Sequence, residues 1–428
     1  MIKVDVGGAK HFIDNEDFEE ALEQASQAYK KVKDGSGLGS NWLGWRRILN
    51  QPNDAELDRI EQHAQAIRED ADIFIVCGIG GSFQGAKAII EALQKPFVSG
   101  RPEIVFAGHH MSGRYLENLI SYMNTLKEDG TKKSVYINVI SKSGTTLETA
   151  LAFRLIRSWI HENYDDAKNR ITATTGPDGG VLNKLIEEFG YTKYVIPEDV
   201  GGRFSVLTPV GLLPVAVAGI DIQTLFYGAV GEFQRREKEP DDLIEYAAAR
   251  FTLHKKGIAL DVIGSFEPEL NGFCGWIQQL LGESEGKEGK GLFPATASYS
   301  TDLHSIGQMI QQGRRNMMET LLTVDNPFSK LTLPETADDS DQLEYLEGKS
   351  FHDINQSALK GTVSAHHTGG VPVVKIGVEK LNEQQVGGLI YFFELFTAVY
   401  VYMLEVNPFN QPGVENYKKA MYQLLGKK

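Results

Sequence analysis

Cysteine is nearly absent: in 428 residues only Cys77 and Cys274 occur, far apart along the chain. Two lone thiols make neither a disulfide framework nor a zinc signature, and such sparing use fits a reducing cytosol. A surplus of basic charge is also missing. The formal net charge is −14, which argues against nucleic acid, because its phosphates require a basic face. Any anionic ligand must therefore be held by local donors against the field of the whole chain. Metal-binding patterns are lacking too. His109–His110 and His366–His367 are adjacent pairs, and neighbours on a strand point to opposite faces. No H-E-x-x-H or EF-hand pattern occurs, and the acidic run DDSD at 338–341 has neither the glycine nor the terminal glutamate of a calcium loop. The expectation is a protein with no metal site.

The opening MIKVDVGGAKHF has no apolar core of signal-peptide length. One run alone has the length of a membrane span, VGGLIYFFELFTAVYVYML at 386–404, and it carries Glu394 in its middle. It reads as a buried core helix, so no membrane partner is expected and the location inferred is cytoplasmic.

What is present is an ordinary globular composition, 42% apolar and 23% charged, on a chain longer than one core usually serves, so two domains are expected. Residues 1–70 are polar and helical in pattern, as in DNEDFEEALEQASQAYKKVKDG, and read as an N-terminal helical appendage. The pattern then changes. ADIFIVCGIGGS (71–82) is a continuous apolar run ending in a glycine turn, and FQGAKAIIEALQK follows at helical spacing. The unit recurs as strand SVYINVI (134–140), loop SKSGTT (141–146) and helix LETALAFRLIRSWIHE, with Thr145 and Glu148 spaced as a capping box. ITATT (171–175) opens another, whose helix VLNKLIEEF is closed by Gly190. After position 240 the alternation resumes: helix 241–254, strand GIALDVIGS, helix 269–281, strand METLLTVD, a helix near 341–360, strand VPVVKIGV and two final helices. Strands alternating with helices in both halves predict an α/β fold of two largely parallel sheets, with domains at 71–225 and 226–428.

In such sheets ligands bind where strands end and loops lead into helices. Two loops suit a phosphate. CGIGGS sets backbone N–H groups and Ser82 at a helix start, where the macrodipole favours an anion. SKSGTT offers Ser141, Ser143, Thr145 and Thr146 with no acidic member, more hydroxyls than capping requires. Neither is a nucleotide cradle. Phe83 stands where a dinucleotide fingerprint needs its third glycine, and no G-x-x-x-x-G-K-[ST] occurs in either loop. A phosphorylated small molecule is the expected ligand. In EDVGGRFSVLTP (198–209), Arg203 sits in a glycine turn before an apolar helix, a place for a guanidinium that stabilises an oxyanion.

GIGGS, SKSGTT, DVGGRFSVLTPVG, GESEGKEGKG and NPFNQPGVENYK, in this order and at these spacings, resemble the phosphoglucose isomerase family in its shorter bacterial form, over roughly positions 70 to 425. The resemblance implies two sugar-isomerase (SIS-type) α-β-α sandwich domains, a homodimer with shared active sites, and no metal or organic cofactor. It implies reversible isomerisation of glucose 6-phosphate and fructose 6-phosphate, a step of glycolysis and gluconeogenesis. Residue by residue, it assigns Gly81 and Ser82 to the substrate pocket, and Ser141, Ser143 and Thr146 to the phosphate, with Lys142 beside them. Arg203 falls on the arginine that steadies the intermediate, Glu283 on the catalytic base, and Gln279 on a substrate-contacting glutamine. His304 matches the ring-opening histidine, contributed in this family by the partner subunit, and Gln411 and Lys418 match the last pocket residues.

The chemistry needs these types. Sugar phosphates arrive mainly as closed rings, so a proton must pass between the ring oxygen and O1, a task for His304 and for Lys418 if burial brings its pKa towards neutral. One base then takes the C2 proton and returns it at C1; a carboxylate can serve where a dry pocket raises its pKa. The cis-enediolate between them carries oxyanion character that a fixed guanidinium can stabilise. Glu285 and Glu288 read as solvated charges, and GHHMSGRYLENL (108–119) and SAHHTGGVP (364–372) receive no catalytic role. His366 and His367 are weighed as ring openers, but the spacing from Glu283 favours His304. Gln311, Gln312, Arg314 and Glu319 read as a charged helix end leading into a strand. Alternatives in view are a dual glucose/mannose-6-phosphate isomerase and a non-catalytic sugar-phosphate-binding regulator.

Overall fold

The computed structural model describes residues 2–95, 97, 102–326, 329–336 and 340–426, so Asp338 and Asp339 of the acidic run lie outside the described residues. Its strands are β1 (Lys3–Asp5), β2 (Ile73–Cys77), β3 (Glu103–Ala107), β4 (Val135–Ile140), β5 (Ile171–Thr175), β6 (Thr192–Val195), β7 (Leu260–Ser265), β8 (Phe293–Ser298), β9 (Met317–Val324) and β10 (Val373–Val378). They build two five-stranded sheets, ordered β3-β2-β4-β5-β6 and β1-β10-β9-β7-β8. Every pairing is parallel except that of β1 with β10. All of β2 and β5 is buried, which requires both faces of the first sheet to be covered and explains their near-continuous apolar sequence.

Two compact units result, one for each sheet. The first-sheet unit is Asn41–Phe233 with Asn382–Gly388; the second-sheet unit is Met1–Ser40, Gln234–Leu381 and Leu389–Lys428. The first 70 residues are thus shared between the units instead of standing apart as an appendage. The reason lies in β1, where Lys3, Val4 and Asp5 pair with Gly377, Ile376 and Lys375 and complete the second sheet. Gly8 follows so closely over β10 that a Cβ there would lie 2.6 Å from the Val373 carbonyl oxygen. Helix Asn15–Asp34 then buries Phe18, Ala21, Ala25, Ala28, Tyr29 and Val32, a stripe at helical spacing, against helix Asp241–Lys255. In the first-sheet unit, helix Asp54–Asp70 packs likewise on helix Pro209–Val217.

Two boundaries differ from expectation. The helix after SKSGTT starts at Leu147 with Thr146 as its N-cap, so Thr145 and Glu148 form no capping box. The helix placed near 341–360 runs Phe351–Thr368, started by Ser350, whose hydroxyl accepts from the Asp353 amide. Gly190 does close helix Gly180–Phe189, in the left-handed conformation at φ 72°.

The long apolar helix Glu383–Met403 is buried throughout its most apolar window, as a core helix must be. Glu394 lies at its centre, 0% exposed, with no hydrogen-bond partner for either carboxylate oxygen among the described residues. Burial alone raises its pKa well above the ordinary range, because charge in an apolar interior is costly. A carboxyl that keeps its proton in the folded state and loses it when unfolded makes stability fall as pH rises above its unfolded pKa. Glu394→Gln removes that dependence. Urea midpoints measured from pH 5 to pH 9 should therefore decline less steeply in the variant, which should be the more stable protein at pH 8.

Candidate active site

The first sheet reverses its strand order between β2 and β4, and the crevice at such a switch point is where open α/β sheets hold ligands. The two loops leaving these strands are GIGGS and SKSGTT. Gly144 at φ 67° turns the second loop back on itself, so the Ser141 hydroxyl accepts from the Gly144 amide at 3.1 Å and lies 3.3 Å from the Thr146 hydroxyl. The Ser143 and Thr145 hydroxyls are 2.9 Å apart. Four hydroxyls thus cluster at the start of helix Leu147–Asn163, where the macrodipole favours an anion. Ser82 closes a short 3₁₀ turn, Gly80–Ser82, on the neighbouring loop.

The Arg203 loop is held against both. A Cβ on Gly81 would lie 2.0 Å from the Gly202 carbonyl oxygen, so only glycine allows the two backbones to meet. Lys142 donates to the carbonyls of Glu198 at 2.8 Å and Val200 at 2.9 Å, and its ammonium stands 4.4 Å over the Trp42 ring. Burial lowers its pKa. Lys142 therefore ties two loops together. Arg203 is 4% exposed, in the turn Gly202–Phe204 ahead of the wholly buried helix Pro209–Val217. His109, in a segment given no role from sequence, stacks on Phe83 with ring centroids 5.0 Å apart; only its position after β3 could have pointed to it.

In the second-sheet unit, helix Asn271–Glu285 presents Gln279 and Glu283 one turn apart, and the Gln279 amide donates to Glu283 Oε1 at 2.7 Å. Glu283 is half-buried within the last helical turn, not beyond the helix. Glu288 is exposed, as expected, but Glu285 is not the solvated charge its sequence suggests. It is 0% exposed and takes both Arg250 terminal nitrogens, at 2.8 and 2.9 Å, while Arg250 Nε donates to Asp261 at 2.8 Å. Burial pushes the Glu285 carboxyl up and the guanidinium pulls against it. The sequence missed this cluster because Arg250 and Asp261 lie on other elements.

This helix runs back along the sheet. Asn271 at its start bonds Ser298, the last residue of β8, and Glu285 at its end accepts from the amide of Leu292, just before β8. Glu283 therefore lies at the amino edge of the sheet. His304 follows the turn Thr301–Leu303 at the carboxyl edge, where Asp302 accepts from the Ser298 amide at 2.7 Å. The length of β8, about 20 Å for six residues, separates these two residues within one chain. Lys287 donates to the carbonyls of Ser284 and Asn407, which ties the start of the segment leading to Gln411 and Lys418 to the Glu283 end of the helix.

Lys418 is partly exposed and pairs with Glu415 at 2.8 Å, which raises its pKa where burial would have lowered it. His304 is exposed. His366 is buried at the end of helix Phe351–Thr368, its Nδ1 2.7 Å from Glu319 Oε2, while Glu319 Oε1 accepts from Tyr299 at 2.5 Å. Glu319 is accordingly a buried strand residue, whereas Gln311 and Gln312 do end the short helix Gly307–Gln312. No group of three or more His, Cys, Asp or Glu among the described residues is arranged to hold a metal ion.

Two largely parallel sheets, with a hydroxyl-rich loop and a buried guanidinium at the switch point of one and a glutamine-bound carboxylate ending a helix on the other, define an α/β protein with candidate ligand groups on both sheets. Residues 61–427 match the phosphoglucose isomerase family, and the chain belongs to that family. Its relatives include the glucose-6-phosphate isomerases of Fusobacterium nucleatum, 44% identical, and Staphylococcus haemolyticus, 43% identical, each match covering 100% of this chain and 96% of the relative. Among solved structures, a hypothetical protein of Thermus thermophilus aligns with TM-score 0.86 at 26% identity, over 99% of this chain and 100% of that one. A glucose-6-phosphate isomerase of Chlamydia trachomatis shares the fold with TM-score 0.76 at 18% identity, over 97% of this chain and 86% of that one.

Proposed function

We propose that this chain interconverts glucose 6-phosphate and fructose 6-phosphate through ring opening and a cis-enediolate, in the cytosol, as a homodimer with shared active sites. The observation that carries the reading is the meeting of GIGGS, SKSGTT and the Arg203 turn at the switch point of the first sheet. Ser141, Ser143 and Thr146 hold the phosphate, with Gly81 and Ser82 at the pocket wall, and its binding energy positions the reacting carbons. Lys142 acts by fixing the loop. His304 moves the proton that opens the ring; Lys418, held charged by Glu415, contributes positive charge with Gln411 beside the sugar. Glu283, oriented by Gln279, takes the C2 proton and returns it at C1, and Arg203 stabilises the enediolate oxygen.

Sharing is supported by the opposite placement of Glu283 and His304 on the second sheet, since one substrate cannot span the strand length between them. Mixing Glu283→Gln chains with His304→Ala chains tests this directly. If each site takes one residue from each chain, about a quarter of all sites in a random mixture of dimers regain both groups. Conversion of fructose 6-phosphate to glucose 6-phosphate should return to that level. A mixture as inactive as its parents would end the shared-site reading, and wild-type protein inert towards fructose 6-phosphate would end the functional one.

A further inference from the structure

The stretch that follows the proposed base, GKEGKG at 286–291, is fixed at three points. The Lys287 ammonium donates to the Ser284 carbonyl at 2.7 Å and also to the Asn407 carbonyl. The Lys290 ammonium donates to the Leu404 carbonyl at 2.9 Å. Gly291, at φ 93°, lies where a Cβ would press on Glu285 at 2.9 Å. Its flexible composition notwithstanding, this loop is a clasp.

Lys287 stands out within it. A cation on one of the last carbonyls of a helix is an ordinary C-terminal cap, favoured by the macrodipole. The second bond is not explained by capping. Asn407 is itself held: its side chain accepts from the Phe409 amide at 2.9 Å, and Gly39 is packed so tightly on it that a Cβ would lie 2.5 Å from Asn407 Oδ1. Asn407 begins the segment that leads to Gln411 and Lys418. One ammonium therefore joins the residue beside Glu283 to the root of the arm carrying the other two groups.

We propose that Lys287 is a positioning residue that sets Glu283 in register with the Gln411–Lys418 arm. This rests on the site reading above, in which Glu283 is the base. Lys287 touches no substrate; it acts through two backbone carbonyls. Without the clasp the helix end and the arm move independently, and the base no longer meets C1 and C2 at the distance proton transfer requires.

The test is steady-state kinetics on Lys287→Met and Lys287→Arg in the full-length protein, with fructose 6-phosphate as substrate. Lys287→Met should lose roughly 10- to 100-fold in kcat, the scale of a misplacement of about 1 Å, with KM within about threefold. The isotope effect from deuterium at the transferred position should rise, because proton abstraction becomes slower than the steps around it. Lys287→Arg, whose guanidinium can reach both carbonyls, should restore most of the rate. A purely structural lysine would lower the melting temperature without moving the isotope effect, and that result overturns the proposal, as does an unchanged kcat. If Lys287→Met does not fold, Lys287→Gln takes its place, and failure of both to fold assigns the lysine to stability alone. Glu283→Gln separates the two levels: if it still exchanges the C2 proton of glucose 6-phosphate with solvent the site reading fails, whereas if it is inert and Lys287→Met is unimpaired only the positioning role fails.

Discussion

Glu283→Gln should lower turnover of fructose 6-phosphate by about 10³- to 10⁴-fold, near the upper range for loss of a general base, and should abolish exchange of the C2 proton of glucose 6-phosphate with solvent. Glutamine keeps the shape of the side chain and an oxygen that can still accept from the Gln279 amide. The helix end should therefore hold its geometry while the base is gone. Affinity for a non-isomerisable hexitol phosphate should stay within about threefold, because the proposed phosphate loop, Ser141–Thr146, is on the other sheet. Loss of rate and loss of affinity are thus expected to separate, and isothermal titration beside a deuterium-exchange measurement resolves them. Glu288→Gln, at an exposed position, should do nothing. Should Glu288→Gln stop exchange and Glu283→Gln spare it, the base would be misassigned.

Arg250→Met should be the most destabilising single change in the second-sheet unit. Its guanidinium is fully buried and divides its donors between Glu285 and Asp261, both also fully buried. Removing it leaves two carboxylates with no counter-charge away from water, a situation that costs about 3–5 kcal/mol in buried pairs. For a unit of this size that corresponds to a fall in melting temperature of roughly 6–20 °C, readable by calorimetry or by intrinsic fluorescence. The double variant Arg250→Met with Glu285→Leu should recover part of the loss, since one stranded charge leaves with its partner. A melting temperature within about 2 °C of wild type for Arg250→Met would contradict the buried cluster.

How far the sequence carries can be judged strand by strand. The six strands foreseen from apolar runs, β2, β4, β5, β7, β9 and β10, are the interior strands of the two sheets. The four that escaped notice, β1, β3, β6 and β8, are their edges. An interior parallel strand is covered on both faces and must be apolar at nearly every position; an edge strand such as FPATAS or TKYV is part exposed and reads as loop. The loops carrying Gly81, Ser82, Ser141–Thr146 and Arg203 were legible because glycine and hydroxyl clusters declare themselves locally. Their mutual contacts were not, since the Gly81–Gly202 approach joins residues more than a hundred positions apart. Glu285 was misjudged for the same reason. Lysines and glycines surround it in sequence, and its real neighbours, Arg250 and Asp261, come from a helix and a strand that only the fold brings to it.

β1 has a consequence for how the molecule is made. Its three residues leave the ribosome long before their partners at 375–377, which lie more than three hundred positions further along the chain. At about 5–20 residues per second, roughly 20–70 s of synthesis separates the two. The second sheet cannot close before then, whereas all five strands of the first, which end at Val195, are complete well before residues 375–377 are made. The sheet that carries the phosphate-type loop can thus form during translation. The sheet that carries Glu283 is assembled only after β10 has emerged, around an edge strand that has waited for it since long before.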